Sequence, residues 1–167
     1  VNLLEGTSTE LCQAVRERRA DLCIASRREG PFRWTPVHEG PLVVLLPEDH
    51  PLAAGESVPI EALQVEPFIE LNPGAETDNS RFFAKYEIRP NARFTTSDPS
   101  AVRPIVSAGL GISLLNDLQA GKEKNGIRIL PTDPVELVPI GLVSPLTPSP
   151  AAHRFLDFVE SHLGELT

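Results

Sequence analysis

The stretch SAGLGISLLN (107–116) has two glycines one residue apart, which is typical of loops that hold nucleotide phosphates. A dinucleotide-binding loop needs three glycines between a strand and the helix that follows it, whereas the pattern here predicts a helix, then the glycines, then a strand. No Gly-Lys-Ser/Thr run follows, which excludes a P-loop. Gly109 and Gly111 are therefore predicted to end a helix and to turn the chain into the next strand.

Nucleophilic and metal chemistry have no matching pattern either. Ser113 follows Gly111 by two residues, but Leu115 stands where a nucleophile elbow needs glycine. His50 follows Asp49, which could orient an imidazole, yet no Ser or Cys is placed to use it, so a turn residue is expected. The four His and two Cys lack the spacing of metal ligands. We expect no catalytic residue, no metal and no cofactor, and a protein that binds a ligand without transforming it.

The two cysteines predict no disulfide framework. Cys12 lies on a predicted helix and Cys23 in the apolar strand LCIA, so the two thiols are too few and too differently placed to form one. Reduced, packed thiols are expected instead, because free Cys behaves as a small buried apolar residue.

Charge and hydropathy restrict the class of partner. The 15 Lys and Arg against 23 Asp and Glu give a net charge of −8, which leaves no basic face to neutralise a run of phosphates. No apolar stretch approaches the roughly 20 residues that span a bilayer, and the first residues do not resemble a signal peptide. We expect a cytoplasmic chain with no membrane contact and no DNA contact of its own. It begins VNLLEG, without Met, which suggests a fragment whose beginning is missing.

The elements that position these residues alternate between strands and helices. Thr7 and Glu10 have the spacing of a capping box, which predicts a helix between two strands, VNLL (1–4) and DLCIAS (21–26), in a parallel crossover unit. A central strand is predicted at 42–46. The other predicted strands are 67–71, 92–96, 111–115, 127–130 and 138–143, and the other predicted helices are 59–63, 80–88, 97–111 and 149–163.

Two of the predicted helices carry specific expectations. The helix at 97–111 has Ser97 as a plausible cap and Pro104 in its interior, which predicts either a kink there or a helix that begins only at Arg103; the kink is preferred. The last helix has Ser149 as cap and Pro150 at its first position. Its predicted apolar stripe consists of Ala152, Phe155, Phe158, Val159 and His162.

In this order the stretches EGTSTEL, RADLCIA, PLVVLLPEDHPLA, EPFIEL, VRPIVSAGLGISLLN and SPAAHRFLDFV resemble the effector-binding domain of LysR-type transcriptional regulators over nearly the whole chain. Asn116 stands where that family usually has Pro. The resemblance implies an α/β fold like the type II periplasmic binding proteins, with two lobes around a cleft and the second lobe inserted into the first. Residues 1–44 and 140–167 would form lobe I, without its first strand and helix, and residues 45–139 lobe II; LVVLLP and VPIGLV would be the crossing hinge strands.

The resemblance also implies a function. A small molecule would bind between the lobes, favour one arrangement of them, and so signal to a separate helix-turn-helix domain. Because helix starts offer backbone N–H groups and a positive dipole end, a carboxylate or other anion is the expected effector. The implied contacts are Thr7, Ser8 and Thr9 in lobe I and Asn72, Pro73, Gly74, Thr77, Thr96 and Ser97 in lobe II. Ordinary helix capping is the alternative role for each hydroxyl.

Other partners and functions follow from the same resemblance. The full-length protein would be a homodimer or homotetramer that reaches DNA only through its N-terminal domain. The alternatives are a solute-binding protein of a transporter, which requires export, and a two-lobed enzyme that uses His50. A redox switch is not expected, because peroxide-sensing members of the family carry their cysteine pair in the second lobe, whereas Cys12 and Cys23 fall in the first.

Overall fold

The computed structural model describes residues 2–122 and 125–163, which form two compact units. Unit 1 consists of residues 1–39 and 138–167, and unit 2 of residues 40–137, so unit 2 is inserted into the sequence of unit 1. In chain order the elements are α1 (Ser8–Arg16), β1 (Cys23–Ser26), β2 (Phe32–Pro47), a 3₁₀ turn (Pro51–Ala54), β3 (Val58–Pro59), α2 (Ala62–Val65), β4 (Phe68–Leu71), α3 (Asp78–Lys85), β5 (Ala92–Thr96), α4 (Pro99–Ser107), β6 (Ser113–Asn116), α5 (Asp117–Ala120), β7 (Ile127–Asp133), β8 (Leu137–Pro145) and α6 (Pro150–His162). Strands β2 and β8 are the two that pass from one unit to the other.

Unit 1 is a small sheet with one helix on each face. Strand β8 lies between β1, to which it is antiparallel, and the first part of β2. Successive strand residues point to opposite faces, so Val143 packs under α1 and Leu142 packs under α6. The α1 side is completed by Cys12, Val15, Cys23 and Ala25, and the α6 side by Leu156 and Val159.

The predicted parallel crossover at the start of the chain is wrong for the described residues. Residues 2–4 belong to no strand, and the side chains of Leu3 and Leu4 are exposed. Strand β1 pairs antiparallel with β8. An apolar run becomes a strand only where a partner strand satisfies its N–H and C=O groups, and the local pattern cannot supply that partner.

Unit 2 is built on the second part of β2, which confirms the predicted central strand. Leu42, Val43, Val44, Leu45 and Leu46 are all buried. This segment pairs antiparallel with β6 on one side and with β7 on the other, and β7 pairs parallel with β3. Beyond β6, β4 makes a parallel bridge from Phe68 to Ile112 and pairs parallel with β5.

The two glycines of SAGLGISLLN form a turn between α4 and β6, as predicted. Gly109 has a φ of 73°, in the left-handed region that favours glycine. A Cβ built on Gly111 would lie 2.4 Å from the carbonyl oxygen of Pro67, so this position needs the absence of a side chain. Helix α4 runs from Pro99 through Pro104 to Ser107, which rules out a helix that begins at Arg103.

Helix α6 begins as predicted and buries part of the predicted stripe. Ser149 accepts a hydrogen bond from the backbone N–H of Ala152, and Pro150 is the first helical residue. The buried residues are Ala152, Leu156 and Val159. Phe155 and Phe158, placed in the predicted stripe, are 49% and 59% exposed, so that part of the prediction is wrong. Ala152 and Val159 are common to both stripes, and Leu156 takes the place of Phe155, because one residue rotates the buried face by about 100°.

Candidate functional site

The start of α1 is a complete capping box, as the sequence predicts. The Thr7 hydroxyl accepts from the backbone N–H of Glu10 at 3.3 Å. In return, one carboxylate oxygen of Glu10 accepts from the backbone N–H of Thr7 at 2.8 Å and from its hydroxyl at 2.9 Å. These bonds from Thr7 lower the pKa of Glu10. Thr7 therefore has the capping role that the sequence left as its alternative.

Ser8 connects the start of α1 to the end of β1. Its hydroxyl oxygen accepts from the backbone N–H of Ser26 at 3.1 Å and from the Ser26 hydroxyl at 2.9 Å. Because Ser8 accepts in both bonds, its own O–H remains a donor. The carboxyl end of β1 and the amino end of α1 are thereby held together by hydroxyl groups.

Arg28 joins the same group of side chains. It is buried, with 9% of its surface exposed. Its Nε donates to the Thr9 hydroxyl at 3.1 Å, and its Nη1 donates to the Ser26 hydroxyl at 2.8 Å and to the Arg27 carbonyl at 3.0 Å. We call Ser8, Thr9, Ser26 and Arg28 the Arg28 cluster. Three hydroxyls and a permanent positive charge meet there, next to the positive end of the α1 dipole.

Ser26 and Arg28 are the members of this cluster that sequence reasoning missed. An arginine in the run SRRE is expected to be solvated, because charged side chains are rarely buried. The available signal was their position directly after the apolar strand LCIA, since ligands of open α/β folds bind at the carboxyl ends of strands.

The predicted residues of unit 2 lie at one edge of its sheet. Strands β4, β5 and β6 run parallel, so their carboxyl ends share that edge. The backbone N–H of Asn72 donates to the carbonyl of Thr96 at 2.8 Å. Gly74 has a φ of 77°, and no atom lies within 4 Å of the position that its Cβ would occupy. We call the predicted contacts located here the unit 2 edge: Asn72, Pro73, Gly74, Thr77, Thr96 and Ser97.

Three helices begin at the unit 2 edge, each with a side-chain cap. Thr77 caps α3 and accepts from the backbone N–H of Ser80 at 3.1 Å. Asn116 caps α5. The prediction that Ser97 caps α4 is wrong, because Asp98 is the cap and accepts from the Ser100 N–H at 2.8 Å. Asp98 directly precedes Pro99, the first residue of α4, so its carboxylate reaches the backbone N–H groups of the first turn. Ser97 lies one residue further from that turn.

His50 is a turn residue, as expected. Its Nδ1 accepts from the backbone N–H of Leu52 at 3.2 Å and so caps the 3₁₀ turn, while its Nε2 lies 3.4 Å from a carboxylate oxygen of Glu66.

Cys12 and Cys23 are both free and buried, which confirms the expected packed thiols. The two thiols nevertheless lie in one hydrophobic cluster, because α1 packs against β1. Burial raises the pKa of Cys12, and burial together with the neighbouring Cys12 raises the pKa of Cys23 to about 12. Thiols in this environment are poor nucleophiles.

In the part of the chain that the structure describes, no helix is both long and apolar enough to cross a membrane. Over the same residues, no three His, Cys, Asp or Glu side chains meet as metal ligands would.

Comparison with known proteins identifies one family. The model of the LysR substrate binding domain matches residues 1–164. The HTH-type transcriptional regulator YybE of Bacillus subtilis (strain 168) is 30% identical over 169 residues, which cover 98% of this chain and 58% of the relative. The chain therefore spans little more than half the length of that relative. The relatives are regulators, so the transporter alternative is not supported.

Solved structures show the same fold. The regulatory domain of CcmR from Synechocystis PCC6803, in complex with 2-PG, has a TM-score of 0.82 at 24% identity, over 96% of this chain and 82% of that one. The effector-binding domain of QuiR, in complex with shikimate, has a TM-score of 0.81 at 23% identity, over 98% and 81%. The fold is therefore the two-lobed α/β fold of the periplasmic binding proteins, as the resemblance implied.

Proposed function

The chain belongs to the LysR substrate binding domain family, and from that membership we propose that it senses a small-molecule effector for a DNA-binding transcriptional regulator. The two lobes of the family correspond to units 1 and 2. The whole regulator acts in the cytoplasm as a homodimer or homotetramer and contacts DNA through a separate helix-turn-helix domain.

The observation that carries this proposal is the Arg28 cluster. Its hydroxyls are oriented by hydrogen bonds between α1 and the residues at the end of β1, and such preorganisation lowers the entropic cost of binding. The proposed effector contacts in unit 1 are Ser8, Thr9, Ser26 and Arg28, with Thr7 holding the turn that presents them. Those in unit 2 are the residues of the unit 2 edge.

Signalling follows from the difference in affinity between two conformations. An effector that binds one conformation of the domain more tightly shifts the population towards it. The free energy available to change DNA binding equals that difference in affinity and cannot exceed it. The chemistry of the domain is therefore recognition, with no bond made or broken in the effector.

Neighbouring structures support an effector of metabolite size. CcmR and QuiR share the fold, and their structures contain 2-PG and shikimate respectively. We propose an effector of comparable size for this chain.

A thermal-shift screen against small metabolites tests the proposed function. A ligand selective for the native state adds RT ln(1 + [L]/Kd) to its stability, about 2.7 kcal/mol at 100 times Kd, and so raises the Tm. We expect at least one metabolite to do so, and the same compound to change operator binding by the full-length regulator. A screen with no stabilising compound, together with operator binding indifferent to the same compounds, would contradict the proposal.

A further inference from the structure

We propose that Cys12 and Cys23 are a redox pair, which a hydroperoxide converts into a disulfide that ties α1 to β1. The two free thiols are both buried and lie in one cluster of unit 1. The proposal goes beyond effector sensing, because it makes an oxidant a second signal that this unit receives. It concerns unit 1 alone and does not depend on the proposed function.

The packing of α1 against β1 brings the two thiols together. Cys12 lies on α1 and Cys23 is the first residue of β1, and their exposed fractions are 4% and 9%. Both pack with Val15, Ala25 and Val143, and a hydrogen bond links the two thiol groups. Thiols that already interact can be bridged without a large movement of the backbone. The sequence does not predict this pair, because the contact exists only once the helix has packed on the strand.

The surroundings of the two thiols give them different roles. Burial raises the pKa of Cys12, while the hydrogen bond with Cys23 and the positive charge of Arg28 oppose that rise. Burial and the neighbouring Cys12 both raise the pKa of Cys23, to about 12. The thiolate is the form that attacks an oxidant, so the thiol that ionises more easily reacts first. Cys12 is therefore the attacking thiol, and Cys23 closes the disulfide.

The reaction balances with hydrogen peroxide as the oxidant. The Cys12 thiolate attacks one peroxide oxygen, the O–O bond breaks, and the hydroxide that leaves takes up the proton that Cys12 lost; the product is a sulfenic acid and one water. The Cys23 sulfur then attacks the Cys12 sulfur, the S–S bond forms, the S–O bond breaks, and the leaving hydroxide takes the Cys23 proton as a second water. The two thiols lose two electrons and two protons in total, and the peroxide is reduced to water.

Burial determines how quickly the pair responds. The environment that makes both thiols poor nucleophiles also slows the first step of the oxidation. Hydrogen peroxide is little larger than water, so it needs much less room beside a packed thiol than an alkylating reagent does. The pair therefore responds to sustained oxidation and is insensitive to a brief exposure.

The disulfide acts on the same two elements that carry the Arg28 cluster. Ser8 and Cys12 stand at positions i and i+4 of α1, which lie on one face of a helix. Ser26 ends the strand that Cys23 begins. The hydroxyls of Ser8 and Ser26 are joined by a hydrogen bond of 2.9 Å. A covalent bond one turn further along α1 therefore fixes the spacing of helix and strand on which this hydrogen bond depends.

Peroxide treatment of the folded chain tests the proposal, and the composition makes the test specific. Hydrogen peroxide oxidises the sulfur of Cys and Met, and the chain contains two Cys and no Met. After the peroxide is removed, we expect the intact mass of the monomer to be lower by two hydrogen atoms. Both cysteines should then resist iodoacetamide in urea until dithiothreitol is added. A native chain that keeps two free thiols, or that forms disulfides only with a second copy, overturns the proposal.

The variants Cys12→Ser and Cys23→Ser test the order of the two steps. In Cys23→Ser the remaining Cys12 should form a sulfenic acid, which dimedone labels when the protein is transferred to urea. In Cys12→Ser the remaining Cys23 should be labelled at least about tenfold more slowly, because less of it is thiolate. Equal rates overturn the assigned order. Should a variant fail to fold, dimedone labelling of the wild type early in the reaction decides: label on Cys12 supports the order and label on Cys23 overturns it.

The Tm and the fluorescence of Trp34 report the effect of the bond on the packing of unit 1. Trp34 is the single tryptophan of the chain and packs against the cluster that contains both thiols. We expect oxidation to raise the Tm by several degrees, because a closed loop restricts the unfolded chain, and to change the emission. Dithiothreitol should reverse both effects, and Cys12→Ser should show neither. A disulfide that forms without raising the Tm overturns its role in tying α1 to β1.

Discussion

The carboxylate of Glu10 lies 2.8 Å from the backbone nitrogen of Thr7 and 2.9 Å from its hydroxyl oxygen. This reciprocal pair holds the first turn of α1 in place. Ser8 and Thr9, which follow directly, are therefore presented to Ser26 and Arg28 by the local sequence.

Replacing Thr7 by alanine should reduce the free energy of unfolding by more than it reduces the free energy of effector binding. Loss of a threonine cap costs about 1 kcal/mol, typically within the range 0.5–2 kcal/mol. Urea denaturation measures this loss, and Ser161→Ala is the control because its hydroxyl donates within α6, to the Phe158 carbonyl at 2.8 Å. If Thr7→Ala is as stable as Ser161→Ala, the capping box contributes nothing.

Stability should depend on the ionisation of Glu10 in acid. Its pKa is lowered on folding by the bonds from Thr7, so its contribution is fully present above the unfolded value near 4.5 and is lost as the pH falls through the folded value. Denaturation midpoints between about pH 5 and pH 3 should fall less steeply for Glu10→Gln than for wild type. Parallel profiles for the two proteins would show that the carboxylate is not stabilised by the box.

The two thiols should be unreactive in the native protein. Burial raises the pKa of Cys23 from 9.0 to about 12, and alkylating reagents attack the thiolate. Iodoacetamide at pH 8 should modify Cys12 and Cys23 quickly in urea and slowly in buffer.

The raised pKa of Cys23 also makes the stability of the protein depend on pH in alkaline solution. Because the folded pKa lies above the unfolded one, this contribution to stability is complete below about pH 9 and is lost as the pH rises towards 12. For the alkylation experiment, a native protein whose two thiols react with iodoacetamide at pH 8 as quickly as they do in urea would contradict the burial of Cys12 and Cys23.

The two glycines of the α4–β6 turn should differ in their tolerance of alanine. Gly109→Ala should lower the free energy of unfolding by about 1–2 kcal/mol, because a residue with a side chain is strained in the left-handed conformation. No steric clash adds to this cost, since no atom lies within 4 Å of the Cβ position of Gly109. Gly111→Ala should cost more, because its Cβ would lie 2.4 Å from the Pro67 carbonyl oxygen. Equal losses in urea denaturation would mean that the turn at Gly111 relaxes freely.

Local signals predicted the parts of the fold that depend on local chemistry. The caps of α1 and α6, the central strand at 42–46 and the glycine turn are set by residues within a few positions of one another. The resemblance supplied the order of the elements and the inserted second unit. The strand predicted at VNLL failed because pairing is a long-range property.

The candidate site was only partly predictable for the same reason. Thr7, Ser8 and Thr9 follow from a helix start, and Asn72 and Thr96 from two strand ends. The role of Arg28 depends on the packing of α1 against β1, which buries a side chain that composition assigns to solvent. The face of α6 was missed because two apolar stripes, one through Phe155 and one through Leu156, fit a helical period equally well.

Calorimetric titration of Ser8→Ala with the metabolite that stabilises the wild type tests effector binding at the Arg28 cluster most directly. Loss of one hydrogen bond to the effector, together with the bonds that orient Ser26, should weaken binding about tenfold, while Ser161→Ala binds as the wild type does. Equal affinity of all three proteins for that metabolite would place the effector elsewhere and contradict the account.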